Sequence, residues 1–180
     1  MVVGFCGIWV DAGEKSPIAI TSGITDLPNG LILRDQNGQY VKLNELCYPG
    51  TEKPRFPRRV VLLNFMSSEC APCRAELPEL LAFLHEVGTN RVAGFLISLD
   101  PLSKGDQLSQ FLKEMAVDCR VLLDPYKLAA KKLGVMDKDG GGSIPRTFIF
   151  APDGRMVGHI NGKPDNLGME LKNALDKADK

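Results

Sequence analysis

A short apolar run followed at once by an amphipathic helical pattern is the feature that most constrains this fold. Residues 60–65, VVLLNF, are typical of a central strand that is covered on both faces. Downstream, between positions 71 and 87, apolar residues recur at spacings of three and four, which predicts a helix with one buried stripe: Leu77, Leu80, Leu81 and Leu84. The sequence therefore predicts a strand–helix unit over residues 60–87.

The alternation of strands and helices continues through the rest of the chain. We predict strands at 91–99, 120–123, 147–150 and 156–160, and helices at 103–116, 126–133 and 166–178. Upstream, residues 31–43 alternate apolar and polar types on both sides of Asn37-Gly38, a strong signal for a two-residue hairpin turn. Together these elements predict an α/β fold with a central mixed sheet flanked by helices.

The chain length of 180 residues suits one domain. We expect residues 31–180 to form it and residues 1–30 to form an N-terminal arm, because residues 13–30 show no periodicity and predict no core. Residues 2–10, VVGFCGIWV, resemble the apolar part of a secretory signal without the basic segment before it. Two interpretations stay open: the remnant of a signal peptide, or an ordinary strand or tail. Residues 47–59, rich in proline and basic side chains, predict a surface loop.

Composition excludes several classes of function. Lys and Arg number 22 and Asp and Glu number 22, so the chain lacks the positive charge that nucleic-acid binding usually requires. No run approaches the length of a membrane-spanning helix. The five cysteines are too few and too unevenly spaced for a disulfide-stapled miniprotein, but two of them, Cys70 and Cys73, are three residues apart.

The segment Cys70-Ala71-Pro72-Cys73 lies where the buried strand meets the following helix. Unpaired amide groups and the helix dipole at that end stabilise a thiolate, so we expect a lowered pKa and nucleophilic character for Cys70. The spacing places Cys73 on the same helix face, where a disulfide can close and reopen. Half of a zinc site and a purely structural disulfide are the alternatives, although the sequence offers no second ligand pair for zinc.

The segment 60–80, VVLLNFMSSECAPCRAELPEL, resembles the active-site region of thioredoxin-like proteins, most closely the TlpA/ResA-like extracytoplasmic thiol-disulfide oxidoreductases. The resemblance extends to further segments: Asp35-Gln36-Asn37-Gly38, Leu123-Asp124-Pro125, Gly134-Val135, Ser143-Ile144-Pro145-Arg146-Thr147-Phe148 and Pro152-Asp153-Gly154. It implies a thioredoxin-like fold with an N-terminal β-hairpin and an inserted helix–strand element at about 102–123. It also implies thiol–disulfide exchange with no cofactor beyond the cysteine pair.

The resemblance further implies roles for residues near the cysteines. Pro145 would be cis and lie opposite the cysteine pair, where the backbone at Ile144 pairs with substrate; an ordinary trans proline at the start of a strand is the alternative. Glu76 would accept a proton from Cys73, although a first-turn glutamate that complements the helix dipole would fit as well. The neighbours of the cysteines would contact substrate: Glu69, Ala71 and Pro72.

Two departures from thioredoxins affect this interpretation. Glu69 and Met66 replace the aromatic residues that thioredoxins often carry before the first cysteine. A carboxylate at Glu69 should oppose thiolate formation at Cys70 unless it points to solvent. Asn64 replaces the buried aspartate of cytosolic thioredoxins, which strengthens the case for Glu76 as the acid.

The leading hypothesis is a reductant of protein disulfides outside the cytoplasm, in which Cys70 attacks and Cys73 resolves. The resemblance implies substrates such as apocytochrome c and electrons from a membrane thiol carrier.

Two alternatives stay open. Copper binding or delivery would use Cys70, Cys73 and His159, although a lone strand histidine such as His159 is more typical of a surface. A thiol peroxidase would be consistent with Ser67 three residues before Cys70, but Leu63 stands where peroxiredoxins have a proline. For Cys119 we expect the role of a small buried hydrophobic residue.

Overall fold

The structure is a computed structural model that describes residues 24–46, 58–137 and 139–179. Its strands are β1 (Ile32–Asp35), β2 (Tyr40–Lys42), β3 (Val60–Met66), β4 (Val92–Ser98), β5 (Arg120–Leu123), β6 (Arg146–Phe150) and β7 (Met156–Asn161). They form one sheet in the order β2-β1-β5-β4-β3-β6-β7. Strand β4 is parallel to both β3 and β5, whereas the other neighbours are antiparallel. The predicted mixed sheet is confirmed.

Helices cover both faces of this sheet. They are α1 (Ala71–Val87), α2 (Gly105–Glu114), α3 (Leu128–Lys132) and α4 (Leu167–Ala178), with 3-10 turns at Leu43–Leu46 and Leu102–Lys104. Alternate residues of β3 point into two cores, one shared with α1, α2 and α4 and the other with α3 and the hairpin region. Both faces of β3 are therefore buried, which explains its almost continuous apolar sequence. None of the helices within the described ranges is long and apolar enough to cross a membrane.

A hairpin forms where the sequence predicts it, but the predicted two-residue turn is wrong. The N–H of Asp35 donates to the carbonyl of Gln39 at 2.8 Å, so residues 36–38 form a three-residue loop. Gly38 adopts a φ of 79°, and its N–H donates to the carbonyl of Asp35 at 2.9 Å. The Asp35 carboxylate, which is buried, accepts from the backbone N–H groups of Asn37 and Gln39 and closes the turn. The backbone freedom of glycine in this left-handed conformation explains the Asn-Gly signal.

Two predicted helices differ from the observed ones at their N-termini. The helix expected at 126–133 begins at Leu128, because Lys127 is left-handed and the Asp124 carboxylate accepts from the N–H groups of Leu128 and Ala130 at 2.8 and 2.9 Å. The helix expected at 103–116 is divided into a 3-10 turn and α2. An acceptor side chain several residues upstream thus decides where a short helix starts.

The expectation that residues 13–30 contribute no core is wrong at Leu27, whose side chain is 1% exposed. Its N–H donates to the carbonyl of Gly154, and the N–H of Met156 donates to the carbonyl of Thr25. Pairing with the β6–β7 turn therefore carries Leu27 into the core, and a single leucine shows no periodicity that would reveal this. Residues 1–23 and 47–57 lie outside the described residues. They include Cys6, Cys47, the signal-like stretch and most of the predicted loop.

Candidate active site

The cysteine pair lies at the C-terminal end of β3, where α1 begins. Cys70 is the N-cap of α1, and its Sγ accepts a hydrogen bond from the backbone N–H of Cys73 at 3.2 Å. Pro72 is in the first turn, where its missing N–H leaves no helical hydrogen bond unmade. The preceding loop is held by Asp100, whose buried carboxylate accepts from the N–H and the hydroxyl of Ser68 at 2.9 and 2.8 Å. The fold therefore fixes Cys70 against the positive end of a helix.

Cys70 and Cys73 are joined in a disulfide. Cys70 is half-buried, whereas Cys73 is only 3% exposed, and Ala71 and Pro72 between them are exposed. Of the two cysteines, Cys70 is therefore the more exposed to solvent. In the reduced state, the free N–H groups and dipole of α1 favour a thiolate at Cys70. This asymmetry is what an attacking and a resolving cysteine require.

The segment before β6 faces the cysteine pair. The Ile144–Pro145 peptide bond is cis, as the resemblance implied, and the carbonyl oxygen of Ile144 lies 3.8 Å from the Sγ of Cys70. Pro145 is buried. Arg146 anchors the segment, because its guanidinium donates to the carbonyl of Gly134 at 2.6 Å and to the side chain of Asn161 at 3.1 Å. Two separate parts of the chain, 74 residues apart, therefore meet at Cys70.

Glu76 is buried beneath the cysteine pair, one helical turn after Cys73 on the same face of α1. The Nδ2 of Asn64 donates to Glu76 Oε1 at 2.7 Å and to the hydroxyl of Thr147 at 2.9 Å. Burial raises the pKa of Glu76 to about 7, and the hydrogen bond from Asn64 only partly opposes this shift. Glu76 is outside the first turn of α1, so the alternative that it serves mainly the helix dipole is wrong.

Glu69 turns away from Cys70 toward the 3-10 turn at Leu102–Lys104. Its carboxylate lies 2.6 Å from the Nζ of Lys104 and accepts a weaker hydrogen bond from Gln107 at 3.4 Å. The hydrogen bond from Lys104 lowers the pKa of this exposed carboxyl. The negative charge beside Cys70 is therefore matched by a cation, which relieves the opposition to a thiolate that the sequence predicts.

Comparison of the sequence with known families identifies the family of this chain. A model of the AhpC/TSA family matches residues 27–159. The chain belongs to the AhpC/TSA family. The thiol-disulfide oxidoreductase ResA of Bacillus subtilis (strain 168) is 27% identical over 153 residues, which cover 85% of this chain and 73% of that protein. The thiol:disulfide interchange protein HelX of Rhodobacter capsulatus is 30% identical over 116 residues, 63% of this chain and 58% of that protein.

Solved structures confirm the thioredoxin-like fold. A protein from Chlorobium tepidum, described as a thiol:disulfide interchange protein DsbE, superposes with a TM-score of 0.67 at 21% identity and covers 86% of this chain and 95% of its own. The thioredoxin domain of a thiol-disulfide oxidoreductase from Bacteroides vulgatus superposes with a TM-score of 0.62 at 16% identity, covering 86% of this chain and 99% of its own. At these sequence identities, the similarity establishes the fold of this AhpC/TSA chain but not its substrate or partners.

The three copper ligands considered from the sequence, the two cysteines and His159, do not lie together in the structure. The prediction that His159 lies on the surface is wrong, because it is 3% exposed and its ring stacks on Phe148 at 4.5 Å. Phe148 belongs to the core on the other face of the sheet from Cys73. Within residues 24–46, 58–137 and 139–179, no cluster of three or more histidine, cysteine or acidic side chains is placed to hold a metal.

Cys119 has the character of a small core residue, as expected. It is partly buried against the core that contains α1, and burial raises the pKa of its thiol to about 11. Such a thiol is almost entirely protonated at neutral pH and is a poor nucleophile. Sequence reasoning missed Lys104 and Thr147, because their partners Glu69 and Asn64 are distant in the chain and share no local pattern with them.

Proposed function

We propose that this protein is a thiol-disulfide oxidoreductase that reduces disulfides of other proteins. The observation that carries the proposal is the asymmetric pair at the start of α1, in which Cys70 is the more exposed cysteine and Cys73 is buried. The names of ResA and HelX support it. The only redox group that this function requires is the pair itself, since exchange proceeds from sulfur to sulfur.

Exchange begins with the reduced pair. The Cys70 thiolate attacks one sulfur of a substrate disulfide, so that a Cys70–substrate bond forms, the substrate disulfide breaks, and the second substrate sulfur leaves as a thiolate that takes a proton from water. The Cys73 thiolate then attacks Cys70 Sγ, closes the Cys70–Cys73 bond and releases the first substrate sulfur. The substrate gains two electrons and the pair loses them, which produces the disulfide observed in the structure.

Glu76 serves the second step as general base. The enclosed Cys73 must lose its proton to attack, and a carboxylate with a pKa of about 7 takes up a proton effectively near neutral pH. Asn64 positions Glu76 by holding one carboxylate oxygen and is itself held by Thr147. We assign the proton transfer to Glu76. Asn64 and Thr147 hold the Glu76 side chain in position.

Substrate binds across the exposed side of the pair. The backbone at Ile144 lies close enough to Cys70 to pair with an extended substrate segment, and Pro145 presents no N–H toward the sulfurs. Ala71 and Pro72 provide a small exposed surface beside the sulfur, and Glu69 adds a charged group at its border. These residues form the contact region of the proposed site.

We further propose that the protein acts outside the cytoplasm. A membrane thiol carrier would restore the reduced pair, and apocytochrome c would be among the substrates. The support for this setting is the resemblance to the TlpA/ResA-like group. Alkylation of the reduced pair in intact cells by a membrane-impermeant reagent tests the compartment, because a cytoplasmic pair would stay unmodified.

A trapping experiment tests the assignment of the two cysteines. Reduced Cys73→Ser protein, mixed with a disulfide-bonded protein such as insulin, should form a covalent adduct that peptide mapping assigns to Cys70 and that dithiothreitol releases. The Cys70→Ser variant should form no such adduct. Absence of the Cys70 adduct would refute the proposal, and consumption of hydrogen peroxide faster than by a free thiol would favour the peroxidase alternative.

A further inference from the structure

A groove between β1 and α3 collects most of the exposed large apolar side chains in the described part of the chain. Six such side chains are at least half exposed, and five of them line this groove, which has a volume of about 750 Å³: Ile32, Tyr40, Leu102, Tyr126 and Leu128. Scattered apolar residues on a surface are normal, but a cluster of this kind marks a site of interaction. We call it the β1–α3 groove.

The groove reaches the edge of the sheet that carries the cysteine pair. Leu102 follows the C-terminal end of β4, and Tyr126 follows that of β5. Since β3, β4 and β5 are parallel, these ends lie on the same edge as Cys70, which follows β3. Lys104, two residues after Leu102, pairs with Glu69, the neighbour of Cys70. The groove therefore begins at the same end of the sheet as the proposed contact region, close to the Lys104–Glu69 pair.

The exposed charges of the groove are positive. Arg34 and Lys132 line it and are exposed. Lys132 donates to the carbonyl of Asn29, and no ion pair within the described residues involves it. The two acidic residues of the lining are each 2% exposed and already engaged. Asp35 pairs with Arg120 at 2.7 Å, and Asp124 caps α3. A partner that carries carboxylates complements this surface.

We propose that the β1–α3 groove binds an extended segment of the substrate protein that combines apolar side chains with at least one carboxylate, and that this binding presents the substrate disulfide to Cys70. The inference rests on the proposed function and names the class of substrate that it serves. An extended segment fits better than a folded surface, because the apolar side chains of the groove follow the sheet edge away from Cys70 rather than surround it. Each additional residue of the segment spans about 3.3–3.6 Å along that path.

The test compares two oxidants of the reduced full-length protein. One is the small disulfide of oxidised glutathione, and the other is a peptide disulfide with a flank of about ten residues rich in leucine, phenylalanine and glutamate. Matched peptides replace the apolar residues by serine or the glutamates by lysine. The apolar, acidic peptide should oxidise the pair with the highest second-order rate constant.

Groove variants should change the ratio of the peptide rate to the oxidised-glutathione rate. Tyr126→Ser combined with Leu128→Ser should lower that ratio about tenfold, whereas Met169→Ser, at the exposed apolar residue outside the groove, should leave it unchanged. Lys132→Glu leaves the exposed charge of the groove balanced and should remove the preference for acidic over basic flanks, whereas Lys177→Glu on α4 should keep it. Circular dichroism confirms that each variant is folded.

The possible outcomes distinguish failure of the groove inference from failure of the proposed function. If wild-type protein exchanges with neither oxidant, the proposed function fails. If it exchanges with both but shows no preference among the peptides, or if the groove variants keep the wild-type ratio, only the groove inference is overturned. Sedimentation that shows a dimer of wild-type protein, dissociated by the Tyr126 and Leu128 substitutions, would assign the groove to a second copy of the chain and would also overturn it.

Discussion

Replacement of Glu76 by glutamine should become more favourable to the stability of the protein as pH rises from acidic to neutral values. Burial raises the pKa of Glu76 from 4.5 to about 7, so between these values the folded protein holds a proton that the unfolded chain has lost. Folding stability therefore falls as pH rises through this window, by about 3 kcal/mol in total. Above pH 7 the folded protein contains a buried carboxylate that glutamine does not reproduce.

The measurement is the free energy of unfolding in urea for oxidised wild-type and Glu76→Gln protein, from about pH 4 to about pH 8.5. Glutamine keeps an oxygen that can accept from Asn64, but its new N–H groups add a cost that does not depend on pH. We therefore follow, as a function of pH, the difference in the free energy of unfolding between the two proteins. That difference should increase by about 3 kcal/mol in favour of glutamine between pH 4.5 and pH 7 and then level off.

Glu86→Gln is the matched control. Glu86 is on the same helix, exposed, and paired with Lys172 at 2.8 Å. Its substitution should change stability by less than about 1 kcal/mol at all pH values. The reasoning about Glu76 would be refuted if the wild-type and Glu76→Gln curves stayed parallel from pH 4.5 to pH 8.5, because Glu76 would then ionise with an ordinary pKa.

Four further changes test the site and the fold. At neutral pH, Glu76→Gln should slow closure of the Cys70–Cys73 bond from a trapped mixed disulfide by at least about 100-fold in stopped-flow assays, because the base is lost. Asn64→Leu removes a hydrogen bond that lowers the pKa of Glu76, so the pH profile of that closure should move to higher pH. Gly142→Ala should destabilise the fold by about 1–3 kcal/mol in urea unfolding, because a Cβ there would overlap the backbone carbonyl oxygen of Val135. Gly105→Ala has open space for its Cβ and should be neutral or slightly stabilising. Asp124→Ala should cost about 1–2 kcal/mol in the same assay through loss of the cap of α3, and wild-type stability in this variant would contradict that role.

Local patterns in the sequence predict most of the fold because they follow from local physics. The apolar run of β3, the leucine stripe of α1 and the Asn37-Gly38 turn each depend on residues only a few positions apart. The cysteine pair is equally local, since a spacing of three at a helix start brings the two sulfurs together. The cis bond at Pro145 was expected from the resemblance, and no local pattern of the sequence distinguishes it from a trans bond.

What the sequence could not predict depends on contacts between distant segments. The hydrogen bonds of Asn64 join residues 12 and 83 positions apart, and they decide how Glu76 is held. Leu27 is buried by pairing with a turn more than a hundred residues away, and His159 by stacking across the β6–β7 pair. The β1–α3 groove likewise exists only once the hairpin, the 3-10 turn at Leu102–Lys104 and α3 are brought together.

The redox equilibrium of the Cys70–Cys73 pair tests the central claim most directly. Full-length protein is equilibrated with graded ratios of reduced and oxidised dithiothreitol or glutathione, and the fraction of reduced pair is read by thiol alkylation. We predict a reversible two-electron transition that both Cys70→Ser and Cys73→Ser abolish, with a potential near the thioredoxin value of about −270 mV, as a reductant requires. A potential near about −120 mV would make the protein an oxidant instead, and a pair that never equilibrates with the buffer would contradict the account.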